Sequence, residues 1–173
     1  MYELNSMMMD EEDIFSEYED DDISKEILLE TKEYLIKLYQ NPRKSIDEKR
    51  HALEALSFLY EEEIDDFIHQ AYNSDSQLYK ISAIFSMGRN ANIKWADIVL
   101  KEIHSNNKDI QCEAIRAAGE LGLDNAGDDL LKLSYSPDKD IMMEAVLALG
   151  KTGWSESFER LDELTMSNDD EIR

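Results

Sequence analysis

Cysteine is almost absent from the 173 residues: Cys112 stands alone, so no intrachain disulfide framework can form. Proline (two) and glycine (six) are scarce, which argues against a loop-rich fold and for long regular elements. Positive charge is short too, with 18 Lys and Arg against 40 Asp and Glu and a net charge of −22. Phosphate backbones and anionic lipid are held by Lys and Arg, so neither nucleic acid nor a membrane surface is an expected partner. No apolar run approaches the ~20 residues needed to span a bilayer. The N-terminus is acidic, where a secretory leader has a basic stretch followed by an apolar one. With no Asn-x-Ser/Thr acceptor in the chain, the expected location is the cytoplasm.

What the chain does contain is a fixed step. Ala114-Ile-Arg-Ala-Ala-Gly-Glu-Leu-Gly122 returns 31 residues later as Ala145–Gly150 and 31 earlier as Ala83–Gly88, and Ala52–Ser57 fits the same mould. A period of this length marks tandem helical hairpins. Each unit divides into a B helix carrying the Ala-Gly pattern and an A helix after it. Ala52, Ala83, Ala114 and Ala145 form one column. Leu53, Ile84, Ile115 and Val146 form a second, and Leu56, Met87, Ala118 and Leu149 a third. These positions make one core-facing stripe of a helix. Ser57, Gly88, Gly119 and Gly150 follow, where a small residue serves either tight packing or a left-handed helix exit. In the A helices the matching column is Ile68, Val99, Leu130 and Leu161. Cys112 takes the place of Ile81 and Met143 and reads as a small core hydrophobe.

Residues 1–22 hold ten acids and no base, leaving −12 for the other 151. Without helical or strand period they are expected to be a disordered acidic tail. A capping helix is expected over 23–40, with Ile23, Ile27, Leu28, Tyr34, Leu35 and Leu38 on one side, and Asn41-Pro42 as its stop. The solenoid is then expected to cover 23–173, with repeats from about 44. An A helix over 154–167 carries Trp154, Phe158, Leu161 and Leu164, and a last B helix begins at Asp170 and is cut at Arg173. That incomplete unit suggests a fragment of a longer repeat protein, or an open end covered by self-association.

Asp109-Ile110, Asp140-Ile141 and Glu171-Ile172-Arg173 resemble the Asp-Val-Arg triplet that opens HEAT repeats. With Ala-x-x-Ala-x-Gly-x-x-Gly following, residues 44–173 resemble the short HEAT-like repeats first associated with phycobilisome lyases. Lys49, Lys80, Gln111 and Met142 stand in the third place of the triplet, where the family has Arg. The resemblance implies an all-α, right-handed solenoid of about four 31-residue hairpins, with the B helices lining a concave face.

Three local motifs bear on catalysis or cofactor binding. Gly150-Lys151-Thr152 lacks the first glycine of a phosphate loop, having Ala145 there, and ends a repeat helix instead of following a strand. His51, His69 and His104 are followed by Ala52, Gln70 and Ser105, without the His-Glu pairs by which some HEAT-like hydroxylases hold iron. Nothing specifies a chromophore pocket, so bilin attachment would rest on fold analogy alone. No catalytic residue, cofactor or metal is therefore expected.

The expected function is a non-catalytic scaffold that binds another protein on its concave face. Its candidate residues are Lys49, Lys80, Phe85, Arg89, Gln111, Arg116, Met142, Leu147 and Lys151, with Glu54, Phe58 and Glu120 among them. Apolar groups set among bases suit a protein-binding groove. Two alternatives are a small acidic inhibitor of a basic partner, an immunity protein or nucleic-acid mimic, and a bilin-lyase-like protein that handles a chromophore.

Overall fold

A computed structural model describes residues 11–166, with side chains from Ser24 onward. Its first helix, α1, is Glu11–Gln40. It begins twelve residues before the position that the apolar spacing indicates, so the helix takes in residues 11–22 of the expected acidic tail. No Pro or Gly interrupts residues 11–40, and extending an existing helix costs far less than nucleating one. The other tail residues, 1–10, and the partial helix expected from Asp170 lie outside the described residues. So does the possible fragment boundary at Arg173.

Among the described side chains of α1, those near its C-terminal end pack on the rest. Leu35, Ile36 and Leu38 are half-buried and Tyr39 is buried, whereas Ile27 (58% exposed), Leu28 (53%) and Tyr34 (62%) face outward. The hairpins follow. The B helices are α2 (Ile46–Leu56), α4 (Gln77–Asn90), α6 (Lys108–Glu120) and α8 (Lys139–Thr152). The A helices are α3 (Glu62–Tyr72), α5 (Ala96–Glu102), α7 (Gly127–Leu133) and α9 (Phe158–Thr165). The last three are shorter than α3 because a 3₁₀ turn precedes each, closed by Trp95 N–H to Asn92 C=O, Ala126 N–H to Leu123 C=O and Ser157 N–H to Trp154 C=O.

Side chains cap three of the four B helices, α2, α6 and α8, where the first amides lack partners. Ser45 and Glu48 form a reciprocal capping box on α2. Asn107 accepts from Ile110 N–H on α6, and Asp138 accepts from Asp140 N–H on α8. The B helices stack directly, α2 on α4 on α6 on α8, while α3, α5 and α7 pack against the B helix that follows each. Ala52, Ala83, Ala114 and Ala145 are all buried, as are the aliphatic residues beside them from Leu53 to Ile115. The A column is buried at Ile68, Val99 and Leu130 and half-buried at Leu161. Phe158, expected in the apolar face of its helix, is instead 65% exposed.

Gly88 and Gly119 resolve the choice between packing and helix exit. A Cβ on Gly88 would lie 3.0 Å from the Ala117 Cα, and one on Gly119 only 2.8 Å from the Ala148 Cα. They are packing glycines inside helices, and they set how closely successive B helices approach. The left-handed exits come three residues later, at Ala91, Gly122 and Gly153.

Candidate protein-binding surface

Residues four apart on a helix share a face. On the B helices this aligns Phe85 with Arg89, Arg116 with Glu120, and Leu147 with Lys151. The absent side chains of Gly88 and Gly119 leave a groove of about 390 Å³ lined by these glycines, Arg89, Glu120 and Lys151. Glu120 lies across Gly88, with Oε2 2.7 Å from where a Cβ would be, and the Lys151 stem lies across Gly119. Lys151 and Glu120 form a loose pair at 3.7 Å. Arg89 is exposed and has no ion-pair partner among the described residues. Leu147 is 57% exposed, and Phe85 is half-buried.

Arg116 is less available than its sequence position suggests. Its guanidinium is clamped between Glu113 of its own helix, at 2.6 Å, and both carboxylate oxygens of Glu144 on α8. Burial pushes the Glu113 carboxyl up to about 7, opposed by Arg116 and reinforced by the nearby Glu120, Glu144 and Glu54. A second clamp precedes it, in which the Arg50 Nε donates to Ser82 at 2.8 Å and the Ser82 hydroxyl donates to Glu54. The inner face is thus charge-compensated rather than basic. Glu113 and Glu144 were missing from the candidate residues, although each lies within hydrogen-bonding reach of Arg116. Glu113 stands three positions before Arg116, a spacing the sequence already displays.

Lys49, Lys80, Gln111 and Met142 do not join this face. They stand five positions before their partners in the groove stripe, about 140° around the helix. Lys80 turns toward the A helices, 3.0 Å from the Glu102 carboxylate and above the Tyr72 ring at 4.9 Å. The Gln111 amide donates to the Ile103 carbonyl at 2.8 Å. Lys49 lines a separate cleft, and Met142 is half-buried. The face that the structure assembles from the candidate set is therefore Phe85, Arg89, Arg116, Leu147 and Lys151.

Among the described residues no group of three or more His, Cys, Asp and Glu could hold a metal, and no helix is long and apolar enough to cross a membrane. The stacked hairpins and their shared inner face define an α-solenoid of HEAT type. The family model described as HEAT repeats matches residues 96–173 of the chain. The 31-residue register extends the same unit back to α2. HEAT repeats commonly serve as protein-interaction scaffolds. No curated protein matches the chain.

Proposed function

We propose that the chain is a non-catalytic scaffold whose inner face receives a segment of another protein. The observation that carries this reading is the glycine-floored groove with unpaired Arg89 on its rim and exposed Leu147 on the same face. A rigid stack presents such groups without an ordering cost on binding. An acidic or mixed acidic and apolar segment suits it, because Arg89 and Lys151 offer charge while Glu120 sets their spacing. The test is affinity capture from cells that make the protein, comparing the wild type with Arg89→Glu and Leu147→Asp. Both positions are exposed, so both variants should keep the wild-type helicity while losing the captured protein. Undiminished capture by both would sink the reading, as would a cofactor absorption band in the purified protein.

The net charge of −22 favours a second reading, an inhibitor that neutralises a basic partner. Its association rate would fall steeply with salt. Binding through the groove would instead lose affinity at Arg89→Glu and respond mildly to salt.

A further inference from the structure

Where α1, α2, α3 and α4 meet, the solenoid leaves a cleft of about 450 Å³, within the size range of small-molecule sites. Its walls include the rings of Tyr39, Phe67 and Tyr79, the first two stacked with centroids 4.5 Å apart. The Tyr39 hydroxyl is already committed, donating to the Phe67 carbonyl at 3.1 Å. Lys49 and Gln70 supply the polar lining.

The repeat register shows what is unusual here. One unit on, Lys80 occupies the position of Lys49, and its ammonium meets buried Glu102, which also accepts the Tyr72 hydroxyl at 2.6 Å. The residue that corresponds to Glu102 is Ala71, and Ala71 lines the cleft. The cation is kept and its anion is gone. Glu48 does not replace it, because its carboxylate is held by Lys44 at 2.7 Å and by the Ser45 amide at 3.0 Å. Among the described residues Lys49 has no ion-pair partner, and the Tyr79 hydroxyl and Gln70 amide have no hydrogen-bond partner. In a chain with 40 carboxylates, a half-buried lysine left unpaired beside two free donors marks a place for an anion from outside.

We propose that this cleft binds a monocarboxylate with an apolar body, its carboxylate standing where Glu102 stands in the next unit. One ammonium matches one charge. A phosphate would bring a second charge into a strongly acidic chain with no cation to meet it. The apolar body lies against Phe67 and Tyr79, where aromatic faces offer contact area. Tyr79, whose pKa burial raises, stays protonated and donates to the carboxylate. A free organic acid and the last residue of a polypeptide present this same chemistry.

The test is a titration of the full ¹⁵N-labelled chain with 4-phenylbutyrate and its amide, and with a tripeptide ending in Phe and its C-terminal amide. The acids should shift the amide signals of Lys49, Ala71, Ser74 and Tyr79 with a dissociation constant of about 1 mM or tighter. The neutral amides should bind at least tenfold more weakly. Lys49→Met should weaken the acids by tenfold or more without changing the amides. Ala71→Glu, which restores the missing anion, should abolish binding of the acids. Lys49 is only half-buried and Met keeps the length of its stem, so its variant should fold and keeps the test decisive even if Ala71→Glu does not. Tighter binding of the peptide than of phenylbutyrate identifies a polypeptide terminus as the source, and the reverse identifies a free acid. Equal shifts by acids and amides, shifts scattered away from the cleft, or none at about 10 mM ligand would overturn the proposal.

Discussion

Three residues spaced by 31 end their helices in left-handed backbone: Ala91 at φ 52°, Gly122 at 62° and Gly153 at 66°. Only the first carries a Cβ, which costs about 1–2 kcal/mol in that conformation. Ala91→Gly should therefore stabilise the fold by about 0.5–1 kcal/mol, after the greater chain entropy of unfolded glycine is set against the relief. A melting temperature that stays level or drops would remove the strain from Ala91. Glu113 makes a prediction about pH. Folded, its carboxyl holds a proton to about pH 7, while unfolded it ionises near the ordinary value of about 4.3. The folded state binds more protons between those values, so this group's contribution to stability falls as pH rises from about 4.5 to 7. Melting curves from pH 5 to 8 should show a shallower decline for Glu113→Gln than for the wild type. Parallel declines would show that Glu113 ionises normally.

Between elements, the distance separating B helices depends on two missing methyl groups. Gly119→Ala would place a Cβ 2.8 Å from the Ala148 backbone, which cannot yield as a flexible side chain would. The helices must separate, at a cost of about 1–3 kcal/mol. Gly150, which holds the same position one unit later, has nothing within 4 Å of such a Cβ. There Gly150→Ala should be neutral or gain up to about 1 kcal/mol from helix propensity. Chemical denaturation of the two variants tests the contrast, and equal effects would refute the packing role of Gly119. Polar contacts also join the units. Lys108 at the start of α6 bridges Asp138 and Asp140 at 2.8 and 2.7 Å, and Asn90 holds the Ser57 carbonyl at 3.0 Å while accepting the Trp95 indole N–H. Lys108 and Arg116 thus tie α6 to α8 without an arginine in the third place of the opening triplet.

The whole molecule has no centre about which it closes; each hairpin buries its apolar stripe against its neighbours. Its charge acts at this scale as well. Local pairs such as Lys32 with Glu61 and Lys80 with Glu102 neutralise some carboxylates, yet the chain remains at −22. Self-repulsion of that size weakens the compact state and is screened by salt. Raising NaCl from about 0.05 to 0.5 M should raise the melting temperature by a few degrees, since screening the excess charge outweighs loosening the exposed pairs. A fall in melting temperature would mean that the inter-repeat ion pairs dominate instead.

The sequence alone determined the hairpin unit, its 31-residue step and the residues that fill the core, because helix periodicity and burial write the same pattern into every repeat. It could also have separated Lys80 from Phe85, since five residues along a helix turn the side chain about 140° away. The tertiary structure decided which glycines pack and which residues carry the left-handed exit. It also decided that Arg116 is held by Glu144 of the next unit, and that Ala71 leaves Lys49 facing a cleft. Those outcomes depend on distances between groups about thirty residues apart in the chain. Local spacing records what each helix turns toward its neighbour, and the packed stack determines which groups meet there.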